Sequence, residues 1–139
     1  MGLLGNHKNP NEIRNRLNEI TEELERIRAE KEDISKRVEE TTEKIRTLNI
    51  EKSKISKAIL ELSGKVPEKK SPFVEASTKE ERKKLREYQD KYNKLAKLVL
   101  RYMRELGELK RSLGKLEERE KKLEKEGNKL TNELLKTLT

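Results

Sequence analysis

A seven-residue repeat constrains this chain more than any other feature. From Ile13 to Leu62 the seam steps alternately by 4 and 3 residues without a slip, and a second seam does so from Leu85 to Thr137. In the first run the a positions are Leu17, Leu24, Lys31, Val38, Ile45, Lys52 and Ile59. Its d positions are Ile13, Ile20, Ile27, Ile34, Thr41, Leu48, Ile55 and Leu62. In the second the a positions are Leu85, Tyr92, Val99, Leu106, Leu113, Glu120, Gly127 and Leu134. Its d positions are Tyr88, Leu95, Tyr102, Leu109, Leu116, Leu123, Leu130 and Thr137. So long a strict heptad keeps one narrow stripe facing a partner helix only if the helices supercoil left-handedly. The predicted fold is all-α, a long antiparallel two-helix coiled-coil hairpin that can oligomerise into a bundle.

Composition agrees. Of 139 residues 45% are charged and 30% hydrophobic, with one Phe and no Trp. That is too little apolar material for a globular core and enough for a two-sided seam. Low apolar content with high charge also marks disordered chains, but those do not hold a heptad register over this length. Without Cys there is no disulfide, thiolate nucleophile or Cys-ligated zinc. No apolar run approaches the ~18 residues of a membrane span. MGLLGNHKNP lacks the apolar stretch of a secretory signal. Met1-Gly2 begins like a myristoylation site, but Asn6 stands where Ser or Thr is needed. The expected location is cytoplasmic. Abundant Lys, Glu and Arg beside the single Gln89 is a thermophile-like bias.

Asn9-Pro10-Asn11-Glu12 sets a cap residue before a first-turn Pro, with a Glu three places on. Ser77/Glu80 or Thr78/Glu81 offers a second capping box. Between them Gly64, Pro67 and Pro72 break the helix. The expected organisation is a tail over 1–9, a first coiled-coil helix over 10–63, a Pro-containing turn over 64–77 and a second helix over 78–139. Pairing positions whose numbers add to 147 sets a against d throughout, as in Leu62 with Leu85 and Ile13 with Leu134. It also brings the polar seam residues Lys31 and Glu120 into adjacent layers, a register lock. A register one heptad longer keeps them adjacent too, and an extended parallel dimer is the competing fold.

Charge is divided unevenly. Residues 11–62 carry 12 basic and 13 acidic side chains, net −1, whereas 79–139 carry 19 and 12, net +7. Along the outward c and f positions of the second helix run Lys94, Lys97, Arg101, Arg104, Arg111, Lys115, Lys122, Lys125 and Lys129, interrupted by Glu108 and Glu118. Such a stripe is either a solvated helix face or a track for a phosphate backbone, bound by counterion release. Tyr88, Tyr92 and Tyr102 sit on the seam, as core rather than base-stacking platforms.

Apolar residues off the seam form a second candidate site. Ala96, Leu98, Leu100 and Met103 lie beside the stripe, and Ile50 of the first helix is level with Lys97. Such a patch marks contact with another chain, or is a scatter of surface leucines. At the bend, Val66, Phe73 and Val74 among Pro67, Lys69, Lys70 and Pro72 read as a basic probing tip, or as Phe73 folding back over the coil. The second reading is favoured.

Nothing here reads as an enzyme. The only histidine, His7, lies near the start of the chain, and Gly107, Gly114 and Gly127 are isolated within a helix rather than gathered into a phosphate loop. Outward carboxylates have nothing to perturb their pKa or exclude water. No catalytic residue, cofactor, metal or small-molecule substrate is expected. The first functional reading is a structural or interaction protein, a scaffold or adaptor that binds itself or another protein through the apolar patch. The second is a basic coiled coil that binds RNA, DNA or a ribosome through the cationic face. A membrane-surface role comes third, for want of a broad Trp- or Phe-bearing face. In outline such a hairpin resembles the tRNA-binding arm of seryl-tRNA synthetases and the hairpins of rod-like export-apparatus proteins, a likeness of shape that carries over no residues.

Overall fold

The computed structural model describes residues 9–65 and 75–138. The readings at Met1-Gly2, at His7 and at the bend residues Val66, Pro67, Lys69, Lys70, Pro72, Phe73 and Val74 lie outside the described residues. Apart from Asn9 every described residue is helical. Helix α1 is Pro10–Lys65 and helix α2 is Glu75–Leu138, packed on each other as an all-α helical hairpin. Asn9 caps α1: its side-chain Oδ1 accepts the Asn11 N–H at 3.1 Å and its carbonyl accepts the Ile13 N–H at 3.0 Å. With Pro10 at the position that needs no donor, the cap supplies acceptors for the Asn11 and Ile13 N–H groups of the first turn.

The expected inner bounds, 63 and 78, fall inside these helix spans. Helix α1 runs two residues past 63, and α2 is already under way at Glu75. Gly64 is tolerated inside a helix, at a loss of about 1 kcal/mol. Ser77 and Thr78 stand within the span of α2.

The chain divides into two compact units, Met1–Val38 with Leu109–Thr139, and Glu39–Glu108. In the first, Ile13, Ile20, Ile27, Leu123 and Leu130 form a buried cluster, with Leu17, Leu24, Leu116 and Leu134 packed against it. All nine are seam residues. A methyl placed on Gly127 would meet the Ile20 side chain at 3.7 Å. Ile20 and Gly127 are a pair whose numbers add to 147, so the shorter of the two registers is the one adopted here. Burying an Ile or Leu in this way stabilises by roughly 1.5–3 kcal/mol each.

The second unit buries Thr41, Ile55 and Val99. Its seam is wider in chemistry. Lys52, at an a position, sets its ammonium 5.3 Å from the centre of the Tyr92 ring, and Lys44 lies 5.4 Å from that of Tyr102. Each lysine thus keeps its charge against the negative face of an aromatic ring. Every predicted seam residue from Ile13 to Leu62 and from Leu85 to Leu134 is buried or half-buried, but Thr137 is exposed. Its hydroxyl donates to the Leu134 carbonyl at 2.7 Å instead of entering the seam. No helix among the described residues is long and apolar enough to cross a membrane.

Candidate interaction surfaces

The side chains beside the seam show which flanks of the two helices adjoin. In the first unit Arg16, at a g position, binds Glu126, also at g, at 2.8 Å, and Glu23 approaches Arg119 at 3.6 Å in the same g-to-g relation. On the other side the e positions meet, Arg28 with Glu124 at 3.5 Å. Between the flanks the expected lock forms: Lys31 Nζ lies 3.0 Å from Glu120 Oε1, and Arg28 Nε lies 3.6 Å from Glu120 Oε2. The side chains of Lys31 and Glu120 are only 26% and 17% exposed. The hydrogen bond from Lys31 holds the Glu120 carboxyl below its ordinary pKa, with the charges of Lys31 and Arg28 adding to it and outweighing the opposing desolvation.

In the second unit the g flank has a gap. By the offset of the Arg16–Glu126 and Glu23–Arg119 pairs, Lys44 should face an acid at position 98, and the chain has Leu98 there. Lys44 turns to Tyr102 instead. The missing charge partner leaves an open hollow of about 520 Å³ with Leu48, Leu98 and Tyr102 at its base and Glu40, Glu43 and Thr47 on the α1 side.

The e flank of the same unit is different again, because a stretch of each helix lacks charge there. On α1 the b and e positions from 49 to 63 are Asn49, Ser53, Ser56, Leu60 and Ser63. On α2 those from 89 to 107 are Gln89, Asn93, Ala96, Leu100, Met103 and Gly107. No ionisable side chain stands among them in a chain that is 45% charged. Leu60 is 70% exposed, Leu100 57% and Met103 54%. Ile50, half-exposed at an f position, borders this flank, since f and b positions lie about 40° apart around a helix.

The patch inferred from the sequence therefore divides. Ala96, Leu100 and Met103 share the uncharged flank and Ile50 adjoins it, while Leu98 belongs to the hollow on the opposite side. Leu60 is exposed at a b position too, but in the same register it is level with position 87, about 20 Å along the axis from Leu100.

All nine basic residues of the outward stripe are exposed: Lys94, Lys97, Arg101 and Arg104 in the second unit, and Arg111, Lys115, Lys122, Lys125 and Lys129 in the first. Among the described residues none of the nine has an ion-pair partner, in contrast to Arg16, Arg28, Lys31 and Arg119 beside the seam.

The fold and these surfaces define the chain as an all-α helical hairpin. No family model, curated protein or solved structure matches it.

Proposed function

We propose that this chain is a non-enzymatic coiled-coil interaction module that self-associates through the uncharged flank of its second unit. The observation that carries this reading is the exposure of Leu100 and Met103 beside Ala96 on that flank, where the b and e positions of α2 carry no ionisable side chain from Gln89 to Gly107. A helix apolar at a and d alone suits a two-stranded seam, whereas one apolar at a, d and e suits a bundle. Between Leu95 and Leu106 helix α2 reads the second way, with Leu95, Ala96, Val99, Tyr102, Met103 and Leu106 at d, e, a, d, e and a.

The occupant is a second copy. A two-fold contact sets each surface against itself, so a charged flank would meet its own charge. From Gln89 to Gly107 the α2 side of this flank brings only amides and apolar groups, with Arg46 at a b position of α1 level with Arg101, so it offers little complement to a partner selected by charge. About 20 Å of two adjacent helices gives on the order of 400 Å² per copy. That is roughly half the ~800 Å² per partner of a stable complex, so the association is weak, with a Kd on the order of 10–100 µM.

Sedimentation velocity from roughly 5 to 500 µM, a range chosen to bracket that Kd, tests this reading. Mass should rise with concentration for the native chain and for Leu98→Glu, which lies on the other flank. Leu100→Glu with Met103→Glu should stay monomeric and helical throughout. A native chain monomeric at every concentration, or an association lost in Leu98→Glu and kept in the double variant, would sink the proposal.

A further inference from the structure

We infer that Lys94, Lys97, Arg101 and Arg104 form a binding site for the phosphate backbone of a nucleic acid, used without reading its sequence. The inference is independent of self-association and stands on a different face of α2. The c positions, Lys94 and Arg101, lie about 160° around the helix from the e positions, Ala96 and Met103. The f positions, Lys97 and Arg104, stand nearer, at the rim of the uncharged flank.

These four cations are exposed and without ion-pair partners among the described residues. That is not for want of acids within reach. Asp90, Glu105 and Glu108 each stand four residues from one of them, at Lys94, Arg101 and Arg104 respectively, a spacing that suits a helical ion pair. None of those pairs forms, while the cations beside the seam do pair. From Lys91 to Arg104 no acid interrupts the run.

The geometry asks for an extended anion rather than a compact one. Steps of 3, 4 and 3 residues place the four charges over about 15 Å of helix axis. A duplex presents one phosphate per ~3.4 Å of axis on each strand, so about four phosphates of one strand lie within that length. A single small anion would gain little from charges in a line on a convex face. The hollow at Leu98 on the same helix carries Glu40 and Glu43 on its α1 side and would repel one.

Base readout is not provided for. Tyr92 and Tyr102 are half-buried in the seam with Lys52 and Lys44 set over their rings, so they cannot serve as stacking platforms. What remains is backbone attraction, whose signature is dependence on salt.

The test is fluorescence anisotropy of the full chain with a labelled mixed-sequence DNA duplex and the corresponding RNA duplex, at 50 and 200 mM salt. Four phosphate contacts predict a loss of about 100-fold in affinity across that range. Lys94→Gln, Lys97→Gln, Arg101→Gln and Arg104→Gln together should weaken binding at least about tenfold at 50 mM and flatten the salt dependence, with the native oligomeric mass retained. Lys122→Gln, Lys125→Gln and Lys129→Gln, in a run shared with Glu124 and Glu126, should change it by less than about threefold. Binding to both duplexes, or to one alone, supports the site, and the second result names the polymer. No binding at 50 mM would overturn it. So would native affinity in the fourfold variant, a loss accompanied by altered mass, or binding to phosphatidylserine vesicles without binding to either duplex.

Discussion

Lys31 and Glu120 place two opposite charges in a seam that is mostly apolar, and the hydrogen bond between them lowers the pKa of Glu120. Because the folded-state pKa of Glu120 is depressed, its contribution is fully present above the unfolded value of ~4.3 and is lost as pH falls through the folded value. Glu120→Gln should therefore melt below the native chain at pH 7, with the difference shrinking towards pH 3. A difference that stayed constant across that range would detach the ion pair from stability. Gly127 makes the opposite case. It lies in a helix without positive φ, and an added methyl meets only Ile20 at an ordinary 3.7 Å. Gly127→Ala should raise stability by about 1 kcal/mol, measured by chemical denaturation, through helix propensity. A loss would mean that the layer is tighter than its contacts indicate. The Lys31–Glu120 contact was legible in the sequence, because a charge at a seam position demands a counter-charge at a definite register. The Lys44–Leu98 mismatch was equally written there, but only as the absence of an acid, which a search for motifs passes over.

At the scale of the helix, the heptad determined which face is covered and left the ends open. A period of 3.5 is set by many residues at once, so single exceptions such as Thr41, Lys52 or Gly127 do not disturb it. An end is set by one or two residues, and Gly64 and Ser77 both stand within the helix spans. The flanks were legible in part. Ala96, Leu98, Leu100 and Met103 are neighbours in sequence, yet five residues of helix turn Leu98 about 140° away from Met103. Leu98→Glu accordingly separates helix geometry from sequence proximity. It should install the missing acid opposite Lys44, alter stability by no more than ~1 kcal/mol as an exposed pair does, and leave self-association intact. Destabilisation by several kcal/mol in a thermal melt would show that the hollow is closed in solution and that Leu98 is core.

Across the molecule the two units are held by different means. The first has the five-residue buried cluster and all the ion pairs found among the described residues, whereas the second buries Thr41, Ile55 and Val99 and leans on two lysine–tyrosine contacts. Local stability follows the apolar contacts a segment makes. Amides at 13–27 and 116–130 should accordingly exchange more slowly than those at 42–60 and 88–106 in the monomeric Leu100→Glu, Met103→Glu variant. In the native chain, protection of the second pair of segments should rise with protein concentration, because a ligand that binds only the folded state stabilises it in proportion to its occupancy. A second copy is such a ligand, and it would cover the unit whose own seam buries least. Uniform protection in both units, or protection in the second independent of concentration, would mean that its seam suffices alone. The uncharged flank would then be surface without a partner of this kind.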